Sequence, residues 1–79
     1  MDQITIYKFL ERNKDILYEG YVYWDKYNRW QYCPSYLYEK PKPEKENGTW
    51  YCNYYGYQLS CFNIEDWDGD WEDSLIKVK

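Results

Sequence analysis

The chain has 79 residues, 14 Asp+Glu against 10 Lys+Arg, a formal net charge of −4, and neither histidine nor alanine. That length holds one domain, and the lack of histidine excludes Ser-His-Asp, Cys-His and histidine-metal chemistry. No apolar run approaches the ~20 residues that span a bilayer, and no basic leader precedes an apolar stretch, so a cytoplasmic protein without a secretory signal is expected.

In chain order, residues 3–10 alternate weakly, with Ile4 and Ile6 on one face and Thr5, Tyr7 and Phe9 on the other, which predicts a strand. Residues 12–15 read as a turn. Residues 16–24 are the clearest strand: Ile16, Tyr18, Val22 and Trp24 share one face, Leu17, Tyr21 and Tyr23 the other. Rings on both faces place this strand centrally, and Gly20 marks a close approach by another backbone or ring. A turn over 25–28 leads into strands at 29–33 and 35–39, with Pro34 between them as an edge or bulge position.

Residues 40–48 carry mixed charge and no aliphatic or aromatic side chain, and are expected to be a solvated connecting loop. Asn47-Gly48 reads as a turn. Alternation resumes over 49–55 and 57–64, separated by Gly56, and residues 74–79 end the chain as a short apolar strand. Trp67, Trp71 and Leu75 lie four apart, which allows one short helix near residues 65–75. The fold class expected is mainly β: a small antiparallel meander or partly open barrel of five to six short strands, residues 1–79 forming a single domain.

Aromatics make up 24% of the chain, including 12 Tyr and 5 Trp. Twelve aliphatic residues (Ile, Leu and Val) cannot fill a core alone, so the rings must supply most of it. A domain this small cannot bury them all, and several tyrosines are expected at the surface. Tyr21, Tyr23, Tyr36, Tyr38, Tyr51 and Tyr55 are candidates for an aromatic face able to stack single-stranded bases; a face that binds carbohydrate or another ligand needs no positive charge and stands as an alternative. Direct nucleic-acid binding is not expected, because stacking platforms come with a positive groove and this chain has none.

Cys33, Cys52 and Cys61 are odd in number and form no C-x-x-C, so they are expected to be reduced core residues. No fourth ligand is available for zinc, and no cofactor is implied. Residues encoded by AT-rich codons (Phe, Tyr, Met, Ile, Asn, Lys) number 33, against 9 for Gly, Ala, Arg and Pro. Such a bias suits a low-GC bacterium, its phages or its plasmids.

Residues 65–73 stand apart. Six of the nine are acidic: Glu65, Asp66, Asp68, Asp70, Glu72 and Asp73. Residues 1–64 balance to zero, so the whole excess charge sits in the last fifth of the chain. Asp66, Asp68 and Asp70 have the spacing that opens an EF-hand loop, but Trp71 stands where glycine is required and Lys77 where glutamate is required, so no metal is expected. Paired carboxylates of a glycosidase are disfavoured because so short a chain offers no deep cleft to tune a pKa, and no enzyme is expected. Spaced carboxylates also resemble a row of phosphates, which fits capture of a basic partner such as a DNA- or RNA-binding protein. Trp67 and Trp71 are the candidate anchors of that face. A structural subunit of a larger complex is a further alternative. The bland counterpart is a solvated hairpin turning at Asp68-Gly69, with both Trp rings folded onto the core.

Overall fold

The computed structural model describes residues 2–52 and 56–79. It is mainly β, as expected, with one short helix. Six strands are described: β1 (Gly20–Trp24), β2 (Trp30–Pro34), β3 (Lys42–Glu44), β4 (Thr49–Tyr51), β5 (Tyr57–Gln58) and β6 (Ile76–Val78). They form a four-stranded antiparallel sheet of order β5-β2-β1-β6 and a separate β3-β4 hairpin. Among the described residues neither sheet closes into a barrel.

The centre is the β1-β2 hairpin, in register from Gly20 opposite Pro34 to Trp24 opposite Trp30. Its turn is held by Asp25, whose Oδ1 accepts from the backbone N–H of Tyr27 and of Arg29, both at 2.9 Å. This is the local bonding for which Asp is favoured in turns. Asn28 takes the left-handed conformation there, at φ 61°. Gly20 has the predicted close approach: a Cβ there would lie 2.3 Å from the Cys33 carbonyl oxygen.

Side chains alternate across this sheet, and both faces are covered. Val22, Trp24, Trp30 and Tyr32 pack on one side with Ile6, Phe9, Leu59, Ile64 and Val78. Tyr23 and Cys33 face the other side and meet Trp50 of β4. β1 is therefore central, as its two ring-bearing faces predict.

Several expected elements differ. Residues 3–10 are not a strand: helix α1 runs from Ile6 to Arg12. Thr5 caps it, its side chain accepting from the Lys8 N–H, and Ile6 and Phe9 point inward. Those two are three apart, so they share a helix face while appearing on opposite faces of a strand. Ile4 remains extended and forms a parallel bridge with Ile64. The strand expected over 16–24 begins only at Gly20, because Ile16 and Leu17 both donate to the Asn13 carbonyl in a turn that follows the helix. Ile16 is 74% exposed.

Pro34 ends β2, which is an interior strand rather than an edge. β5 pairs only with Gln31 and Tyr32, so no neighbour on that side meets the missing N–H. Residues 35–39 form a turn instead of a strand, with Leu37 and Tyr38 both donating to the Pro34 carbonyl. The expected loop at 40–48 contains β3 and the turn of the second hairpin, and Pro41 is fully buried. Pro43 is tolerated there because β3 has a neighbour on one side only. Strand β4 ends at Tyr51, and the rest of the strand expected over 49–55 includes residues 53–55, outside those described. β5 keeps two residues of the expected 57–64, since the chain turns at Leu59–Phe62. Strand β6 lies within the predicted 74–79.

Candidate protein-interaction surface

The acidic segment runs along one border of both core clusters. It is neither a helix nor a hairpin. Only Trp71–Asp73 are helical, as one 3-10 turn, and Asp68-Gly69 joins no paired strands. The four-residue spacing of Trp67, Trp71 and Leu75 does not mark a helix face because the rings go to different clusters. Trp67 packs on the α1 side, and Trp71 and Leu75 pack on the Trp50 side.

Each end of the segment is fastened by backbone groups. Glu65 donates its N–H to the Ile4 carbonyl at 2.8 Å, and its own carbonyl accepts from Trp30 Nε1 at 3.0 Å. The Trp67 ring stands edge-on to Trp30, with centroids 5.9 Å apart. Its Nε1 donates to the Asp70 carbonyl at 2.8 Å, which bends residues 67–70 into a tight arch. Gly69 lies against that indole, where a Cβ would come within 3.3 Å of Trp67 Nε1. At the far end Trp71 stands edge-on to Trp50, with centroids 5.6 Å apart, and its carbonyl accepts from Trp50 Nε1 at 3.0 Å.

Ser74 locks this end from below. It is fully buried, and its Oγ accepts from the Trp24 N–H at 2.9 Å and from Trp50 Nε1 at 3.3 Å while donating to the Trp71 carbonyl at 2.6 Å. Nothing in the sequence marked Ser74, because Trp24 and Trp50 lie far from it along the chain.

The six carboxylate residues, Glu65, Asp66, Asp68, Asp70, Glu72 and Asp73, are all exposed. Among the described residues only Glu72 has an ion-pair partner, Lys45 at 3.9 Å. Both groups are well exposed, so this contact contributes little. Trp67 and Trp71 are half-buried. Their rings hold the segment to the core and expose only part of their surface.

A shallow cleft of about 150 Å³ lies at the amino-terminal end of the segment. Glu65, Asp66 and Asp68 line it with Trp30, Trp67 and Tyr7. It is smaller than a typical small-molecule site. Carboxylates beside aromatic rings suit the end of a lysine or arginine side chain, through charge-assisted hydrogen bonds and cation–π contact.

The tyrosines named for an aromatic face scatter. Tyr23 is buried, Tyr21 and Tyr38 are half-buried, Tyr36 and Tyr51 are exposed, and Tyr55 lies outside the described residues. A different cluster forms at the end of the sheet. Tyr18, Tyr36 and Tyr57 are each more than half exposed. Tyr18 and Tyr36 rings meet at 5.0 Å, edge to face, and Tyr57 meets Tyr38 at 6.2 Å. Of this group sequence alternation marked Tyr36 but not Tyr18 or Tyr57, because its members sit on turns as well as strands.

Of the cysteines, Cys33 is buried as expected, Cys52 is half-buried and Cys61 is exposed on the turn after β5. No metal-binding group of three or more Cys, Asp or Glu occurs among the described residues. Among them, no helix is long and apolar enough to cross a membrane. No protein-family model, curated protein or solved structure matches the chain.

Proposed function

We infer that the chain is a non-enzymatic protein-binding module that docks its acidic segment, residues 65–73, on a basic groove of a nucleic-acid-processing protein. The observation that carries this is the geometry of the segment. Six exposed carboxylates follow an irregular but fastened backbone, and five of them have no cationic partner among the described residues. A partner that binds nucleic acid carries lysines and arginines placed to meet phosphates. The ridge offers negative charge in that role, and the cleft at Glu65, Asp66 and Asp68 receives one of those side chains. Trp67 and Trp71 set the course of the ridge. Clustered charge of one sign also steers encounter, most strongly at low salt. An inhibitor or accessory factor encoded by a phage or plasmid of a low-GC host fits this arrangement.

The test is affinity capture from a low-GC bacterial lysate. The variant Asp66→Asn/Asp68→Asn/Asp70→Asn/Glu72→Gln runs beside the wild type. The expected result is a DNA- or RNA-binding protein held by the wild type alone, displaced by duplex DNA and by raised salt. Equal capture by both forms, or retention that ignores DNA, contradicts the proposal.

The exposed tyrosine cluster supports a second proposal, a carbohydrate-binding face. Tyr18, Tyr36 and Tyr57 supply apolar rings with polar tips at one surface. Sugar binding there would persist in the four-amide variant and would be nearly insensitive to salt.

A further inference from the structure

Cys33 and Cys52 meet, although they belong to different sheets. Cys33 is in β2, and Cys52 directly follows β4. Their Sγ atoms are 3.7 Å apart. The Tyr23 hydroxyl lies 3.9 Å from the Cys52 sulfur. Gly56 covers Cys33 so closely that a Cβ on it would lie 2.9 Å from the Cys33 sulfur. The two thiols thus share one small compartment between the central sheet and the β3-β4 hairpin.

They differ in access. Cys33 is 1% exposed, and burial holds its thiol protonated well above the ordinary range. Cys52 is half-buried, so a small reagent reaches it first. A disulfide needs sulfurs about 2.05 Å apart, so the pair must close by about 1.7 Å. Side-chain rotation and a slight approach of the hairpin would supply that distance.

We propose that Cys33 and Cys52 form a redox dithiol, with Cys52 the attacking sulfur and Cys33 the resolving one. The oxidant class is a small disulfide of the glutathione type. The Cys52 thiolate attacks one sulfur of the oxidised reagent and expels one thiolate, leaving a mixed disulfide on Cys52. The first released thiolate takes the Cys33 proton, the slow step for so buried a thiol, and the Cys33 sulfur attacks Cys52 and expels the second thiolate. The two protons from Cys33 and Cys52 end on the two released thiols, and the protein is oxidised by two electrons as the reagent is reduced. The new bond staples the β3-β4 hairpin to the four-stranded sheet. This inference is independent of the acidic ridge.

The experiment uses Cys61→Ser, which removes the exposed third thiol, treated with oxidised glutathione and then alkylated under denaturing conditions. The expected product is about 2 Da lighter than the reduced chain and takes up no alkylating reagent. Its digest joins the Cys33 and Cys52 peptides, and its thermal midpoint rises by on the order of 10 °C until a reductant is added. A lasting glutathione adduct on Cys52 with Cys33 still alkylatable, or alkylation of both thiols, overturns the proposal. Cys33→Ser, which lacks the resolving sulfur, is expected to accumulate the mixed disulfide at Cys52. Absence of that adduct from folded Cys33→Ser overturns the assignment of Cys52 as the attacking sulfur. If this variant does not fold, the Cys61→Ser result decides alone.

Discussion

Ser74 makes three hydrogen bonds from a fully buried position, and each joins a different part of the chain. Its removal strands the Trp24 N–H in the core and leaves Trp50 Nε1 with the Trp71 carbonyl alone. Ser74→Ala is expected to cost about 1–3 kcal/mol, the range for an unsatisfied buried donor, measured by urea unfolding. Ser74→Thr keeps the hydroxyl but adds a methyl group at a fully buried position, so it should not restore full stability. Gly20 is a second single-residue constraint. A Cβ there would press into the Cys33 carbonyl and the Pro34 Cα, both backbone atoms of β2 that cannot rotate away. Gly20→Ala is therefore expected to lower the thermal midpoint sharply, by separating β1 from β2 at that end. A midpoint within a degree or two of wild type would show that the strands do not meet there. Gly20 was legible in the sequence, as a glycine inside a ring-bearing strand. Ser74 was not, because a buried serine looks like any surface serine until its distant partners are known.

At the scale of elements, strands were legible where turn chemistry agreed with alternation. Asp25 and Asn28 mark the turn of the central hairpin, and the ring-bearing residues on either side pair as expected. Alternation alone misled at α1, where Ile4 and Ile6 suggested period 2 over a short stretch while the inward pair, Ile6 and Phe9, has the spacing of a helix face. It misled again at Trp67, Trp71 and Leu75, whose helical spacing is overridden by two separate cores. Composition misled at 40–48, since a charged segment with two prolines still pairs when it needs only one neighbour. The cap assigned to α1 is open to test. Thr5→Ala removes the acceptor for the Lys8 N–H and is expected to cost about 0.5–2 kcal/mol. Thr5→Ser or Thr5→Asp should recover most of it. Equal stability of all three variants would show that packing of Ile6 and Phe9 alone holds the helix.

For the whole molecule, one thin sheet carries a core on each face, and the acidic segment borders both. Two of the ionisable groups in the smaller core, the buried Tyr23 and Cys33, have raised proton affinities, chiefly through burial. In the unfolded chain these groups release protons near pH 10 and 9, whereas in the folded protein they hold them to higher pH. Their contribution to stability is complete below about pH 9 and falls as pH rises beyond it. Denaturant midpoints are therefore expected to drop above that pH. A Tyr23→Phe variant should show a weaker drop. An unchanged alkaline slope in Tyr23→Phe would place the effect elsewhere.

The acidic segment was legible as charge but not as shape, since neither a hairpin nor a helix carries it. Its fastening depends on Trp30, Trp50 and Ser74, which local sequence does not connect to it. The measurement that tests its role most directly is a backbone-amide NMR footprint of the labelled chain with the DNA-binding protein that it captures. Docking through the acidic segment predicts shifts confined to residues 65–73 and to the cleft wall at Thr5–Tyr7, reversed by competing duplex DNA. A footprint centred on Tyr18, Tyr36 and Tyr57, with residues 65–73 unmoved, would contradict it.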